Sequence, residues 1–169
     1  MSKQTRPDFS VKKGSDLSLS GPALVELLRA VLDKEAPVRF QARGFSMSPF
    51  IRNEDVVTIA PLQGKRPGLG RIIAFVHNET KGLCIHRIVR VKDGSYVTKG
   101  DNISQAAECV PREHVLGLLT TVERKGKKVF LGLGPERFLV AFLGGRGLLW
   151  PLVLPLWKVI RPFLRRQTE

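Results

Sequence analysis

Hydrophobic and polar positions divide the 169-residue chain into four stretches of different rhythm. Residues 1–19 are polar, carrying Lys3, Arg6, Lys12 and Lys13 but no apolar run. They predict a disordered basic arm and lack the hydrophobic region of a secretory leader. In residues 20–37 the rhythm becomes helical. Leu24, Leu27, Leu28 and Val31 recur at helical spacing, while Glu26, Arg29 and Asp33 fall on the other face. Ser20-Gly21-Pro22 supplies a start signal, so an amphipathic helix is predicted over residues 22–34, too short and too charged to cross a bilayer.

From residue 38 to 133 the period shortens. Runs rich in β-branched and aromatic residues occupy 38–40, 56–60, 71–76, 83–91, 95–98, 115–122 and 128–133. Turn signals separate them, among them Arg52-Asn53, Pro67-Gly68, Asp93-Gly94 and Lys125-Gly126-Lys127. No alternation of strand and helix supports a parallel sheet, so the expected fold is mostly β, a small antiparallel domain. Residues 134–169 change again. The stretch from Phe138 to Phe163 is apolar but interrupted by Arg146, Lys158, Arg161, several glycines and Pro151, Pro155 and Pro162. Its longest uncharged run, residues 147–157, falls well short of the roughly 20 residues of a helical span. An apolar, basic helical segment is expected there.

Charge sharpens the picture of that last stretch. The net charge is +13, and from Arg124 onward ten Lys or Arg face only Glu136 and Glu169. Phe138, Phe142, Trp150, Trp157 and Phe163 interleave with these cations as far as Arg166, a pattern suited to an anionic membrane surface and not to nucleic acid. The alternative is a helix pair packed on the β domain or on a partner. Without a leader or a span, the expected location is cytoplasmic or peripheral at the inner membrane face. Cys84 and Cys109 belong to no CxxC or Cys/His cluster, so two half-buried free thiols and no metal site are expected.

Three short segments carry candidate chemistry. Gly44-Phe45-Ser46-Met47-Ser48-Pro49 joins a strand to a turn, where a serine nucleophile gains a fixed hydroxyl and nearby N–H groups for an oxyanion. Gly44 permits unusual dihedrals, Met47 is expected to anchor the loop by burial, and Pro49 stiffens the exit. Of the three histidines, His77 and His114 lie in polar stretches and read as solvated surface residues, whereas His86 lies inside a strand. Thr98-Lys99-Gly100-Asp101-Asn102 then offers a carboxylate on a glycine turn, able to orient an imidazole.

In that order, Ser46-Met47-x-Pro49, His86-Arg87-Ile88-Val89 and Thr98-Lys99-Gly100-Asp101-Asn102 resemble the motif boxes of type I signal peptidases. They are closest to the Ser-His-Asp branch of the endoplasmic reticulum, archaea and some Gram-positive bacteria. The ordinary bacterial branch carries a lysine where this chain has His86. The resemblance spans roughly residues 38–122, with supporting pieces at Asn53-Glu54-Asp55-Val56-Val57, Gly70-Arg71-Ile72-Ile73-Ala74-Phe75 and Val115-Leu116-Gly117. It implies a signal-peptidase or repressor-peptidase type of β fold, a serine endopeptidase without a cofactor, and a leader or precursor peptide as substrate. Ser46 would be the nucleophile, His86 its base and Asp101 the residue orienting His86, with the Ser46 N–H in the oxyanion hole. As an ordinary histidine, His86 would switch activity off below about pH 6.5.

Two departures from the family pattern stand out. Gly44 occupies a position where many relatives have a serine that assists the oxyanion hole, and Arg71 replaces an acid. They leave open a non-catalytic relative that binds at a membrane surface. A self-cleaving repressor shares the Gly-x-Ser-Met start but uses a Ser-Lys pair, and residues 1–37 hold one clear helix where a DNA-binding headpiece would need more.

Overall fold

A computed structural model describes residues 21–102, 106–149 and 151. The N-terminal arm and the C-terminal stretch beyond 151 lie outside the described residues. Among the described residues the fold is mostly β: an antiparallel sheet with two helices. Helix α1 (Gly21–Leu32) comes first, then β1 (Val38–Gln41), β2 (Val56–Ala60), β3 (Ile72–Val76), β4 (Leu83–Lys92) and β5 (Ser95–Lys99). Next come β6 (Glu108–Val110), a 3-10 turn at Arg112–His114, β7 (Val115–Arg124), β8 (Lys127–Val129) and α2 (Arg137–Gly145).

The strands follow the order β1-β2-β7-β3-β4-β5-β6, with β8 paired to β7. Central β3 explains how the sheet buries both faces. Ile72 and Ala74 point into a core shared with Leu28, Leu32, Met47, Ile51, Val57 and Ile59. Ile73 and Phe75 point the other way, into a core with Ile88, Tyr96, Val110 and Val115. A strand buried on both faces reads as the continuous apolar run it is in sequence. The apolar face of α1 closes the first core through Leu28 and Leu32, and α2 packs on β4.

Two details differ from the sequence reading. Strand β6 was not expected, because three residues, Glu-Cys-Val, carry too short a pattern to stand out; pairing with Tyr96–Thr98 makes the strand. The last strand stops at Val129, before Phe130 and Leu131. The residues beyond it turn into α2, where the Glu136 carboxylate accepts N–H bonds from Gly132 and Gly134.

Candidate active site

The Ser46 loop leaves β1 and is fastened on several sides. Gly44 has a φ of +103°, a region open to glycine at little cost, and its N–H donates to Asn53 Oδ1 at 3.0 Å. Met47 is buried among Leu28, Leu32, Ile51 and Val57 and anchors the loop as expected. The Asp55 carboxylate takes a two-pronged bond from Arg124, at 2.8 and 2.7 Å, and a third from the Arg52 N–H, closing the base of the loop. Ser46 is half-buried at the tip. Among the described residues its backbone N–H donates to no protein acceptor, which leaves it available to an oxyanion.

The turn after β5 reaches this loop directly. Asn102 donates its N–H to the Ser46 carbonyl at 2.7 Å and its side-chain amide to the Phe45 carbonyl at 2.9 Å. Neighbouring Asp101 does something other than what the sequence suggested. Its two carboxylate oxygens accept from Arg87 Nε at 2.9 Å and Nη2 at 2.8 Å, and no hydrogen bond joins it to His86. The reason is strand geometry. Successive side chains of β4 point to opposite faces, so the carboxylate that meets Arg87 is on the wrong side for His86. Arg87 is fully buried, at 0% exposure, and its Nη1 donates to the carbonyls of Gly70 and Gly132, at 2.9 and 2.8 Å. Gly132 must be glycine: a Cβ there would stand 2.5 Å from the Phe50 ring. Burial pushes the Asp101 carboxyl above the usual carboxylate range, against the pull of Arg87 toward the ionised form.

His86 stands at a free edge. β3 pairs with β4 along residues 83–87, but β5 pairs only from Arg87 onward, so among the described residues one edge of residues 83–86 has no partner strand. The imidazole packs edge-on against Phe75, with ring centroids 5.7 Å apart, and makes no hydrogen bond among the described residues. Burial, reinforced by nearby His77, pulls its pKa down from 6.5 to about 4, so the ring is a neutral base throughout the physiological range. The simple expectation of a switch near pH 6.5 is thereby corrected.

Ser46 and His86 border the same cavity of about 550 Å³, whose walls come from the outer edge of β1, the free edge of β4 and the start of α1. Among the described residues no hydrogen bond links the Ser46 hydroxyl to the His86 ring. On its far side His86 borders a second cavity of about 440 Å³ with His77, Thr98 and Glu108. His77 is half-buried rather than solvated. Its Nδ1 accepts the N–H groups of Glu79 and Thr80, which leaves the proton on Nε2, 3.8 Å from Glu108 Oε2. His114 is half-buried too. Cys84 and Cys109 are free, but Cys109 is exposed where half-burial was expected.

The structure thus places Ser46 and His86 on one cavity, gives Gly44 a positive φ and buries Met47, and it bonds Asp101 to Arg87 where the sequence suggested His86. No role for Arg87, Asn102 or Glu108 was read from the sequence. The first two lay inside the quoted motifs, and an arginine within the apolar run Ile85-His86-Arg87-Ile88-Val89 was the available signal. No family model, curated protein or solved structure matches this chain.

Proposed function

We propose that this protein is a serine endopeptidase resembling the signal-peptidase type and its β fold, acting on an extended leader or precursor peptide. The observation that carries the reading is the cavity shared by Ser46 and His86, floored by a strand edge that no other described strand pairs with. A peptide laid along residues 83–86 would satisfy that edge as an added strand and bring its carbonyl to Ser46. Ser46 Oγ then attacks the carbonyl carbon as the His86 imidazole takes the hydroxyl proton, and the oxyanion meets the Ser46 N–H. The imidazolium returns that proton to the departing amine. Water, deprotonated in turn by His86, cleaves the acyl ester and restores the serine.

Asp101 enters this reading as a positioning residue. It holds Arg87, and through Asn102 its turn holds the backbone of the nucleophile. A serine-directed acylating probe tests the proposal. Modification should map to Ser46, vanish in Ser46→Ala and slow by about 10³-fold or more in His86→Ala. Labelling that ignores His86, or that maps elsewhere, would sink it. That no carboxylate among the described residues bonds His86 favours a second reading, a non-catalytic peptide-binding module. In that case Ser46→Ala and His86→Ala bind peptide as the parent does, and no acyl adduct forms.

A further inference from the structure

We infer that the outer face of α2, together with the turn that precedes it, is a docking surface for an anionic lipid bilayer. The helix is apolar on two sides and covered on one. Val140, Ala141 and Gly144 are buried on the side packed against β4, where Gly145 also approaches Val89. Phe138, Leu139 and Phe142 fall on the opposite side and are exposed, Leu139 at 60% and Phe142 at 51%. Phe130, at 74%, Leu131 and Leu148 extend the exposed series. Ten large hydrophobic side chains are exposed among the described residues, and six of them come from residues 130–148. A concentration of this kind marks a contact surface, since scattered exposed apolar residues are normal but clustered ones are not.

Charge selects the occupant. Lys125, Lys127, Lys128, Arg137 and Arg146 accompany the apolar series, and the only acid between residues 124 and 149 is Glu136. That carboxylate is occupied by the Gly132 and Gly134 N–H groups. The Arg146 guanidinium lies 3.7 Å from the Phe142 ring centroid and Arg137 lies 4.7 Å from that of Phe138. Rings topped by cations fit a headgroup boundary, where the ring enters the acyl region and the cation meets phosphate. A second copy of the chain fits worse, because a two-fold contact would set these cations against themselves. The described residues contain no helix long and apolar enough to cross a membrane, so the surface supports docking and not spanning.

The experiment uses the full chain carrying Ser46→Ala, so that binding is read without turnover and its failure is separable from failure of the peptidase reading. The protein is sedimented with vesicles of phosphatidylcholine alone, or of phosphatidylcholine mixed with phosphatidylglycerol. Binding is expected to the mixed vesicles, weakened by added salt, and reduced about tenfold or more by Phe138→Ser with Phe142→Ser. Both side chains are exposed, so thermal unfolding should match the parent. Lys127→Glu with Lys128→Glu, which leaves every ring in place, should weaken binding to the anionic vesicles alone. No binding to the mixed vesicles overturns the inference. So does binding indifferent to both double substitutions, or a solution dimer that the serine substitutions dissociate.

Discussion

His86 and Arg87 are neighbours on β4 and live in opposite worlds. Arg87 is sealed in the protein, with its hydrogen bonds made to a carboxylate and two carbonyls. Among the described residues, His86 lies where one edge of β4 has no partner strand, between two cavities, its imidazole without a hydrogen bond and its pKa depressed. One face of the strand is built to stay fixed, and the other to remain available. A structural residue of this kind binds all its partners in the fold, whereas the base proposed for His86 would need a nitrogen in reserve for a proton that arrives later.

The sharpest way to break that comparison is to exchange what each side is asked to do. Ser46→Ala should reduce acylation and peptide cleavage to the background level, a loss on the order of 10⁴-fold or more, with an unchanged melting temperature because the hydroxyl makes no hydrogen bond among the described residues. On the sealed side the effects should be reversed in kind. Arg87→Met leaves Asp101 buried without its cation and should cost about 3–5 kcal/mol in denaturant unfolding. Arg87→Met with Asp101→Leu should recover much of that loss. A double variant no better than the single one would mean that the two carbonyl bonds, and not the ion pair, hold the site.

Acidity separates the two residues further. Unfolded, His86 binds a proton near 6.5; folded, it resists one until about pH 4. The unfolded chain therefore holds more protons between those values, and stability falls as pH drops from 6.5 toward 4, by up to about 3 kcal/mol. Unfolding measured across that window should lose this slope in His86→Gln. The acid limb of activity should likewise lie near pH 4, and Asp101→Asn should lower stability without moving it. A shift of that limb in Asp101→Asn would restore Asp101 as the orienting partner of His86. The smallest effect belongs to Asn102→Ala, which removes one bond to the Phe45 carbonyl. About 1 kcal/mol of stability should go with it, and acylation should slow by roughly tenfold if loop position governs the rate.

How much of this was legible in sequence depended on range. β2, β3 and β4 announce themselves through continuous β-branched runs, and α1 through its leucines, because burial there follows a local period. Met47 and Gly44 were readable for the same reason, since each acts on its own loop. The partner of Asp101 was not. Whether a carboxylate at the end of β5 meets residue 86 or residue 87 is decided by the register of β5 on β4 and by which face each strand residue takes. A single chain shows candidate partners but not their parity. Glu108 was hidden behind a strand of three residues, whose existence depends on pairing and not on its own pattern.

The guanidinium of Arg87 has one more consequence. It grips the Gly132 carbonyl with one nitrogen and the Asp101 carboxylate with another, while the adjoining Asn102 grips Ser46. Residues leading into α2 are thus joined to the Ser46 loop by a short, stiff linkage, not by a long stretch of slack chain. If α2 rests on a bilayer and Ser46 cuts as proposed, that linkage sets a working height: the groove stands at a constant distance above the lipid, and the protein becomes a ruler for how far from the membrane a peptide is cut.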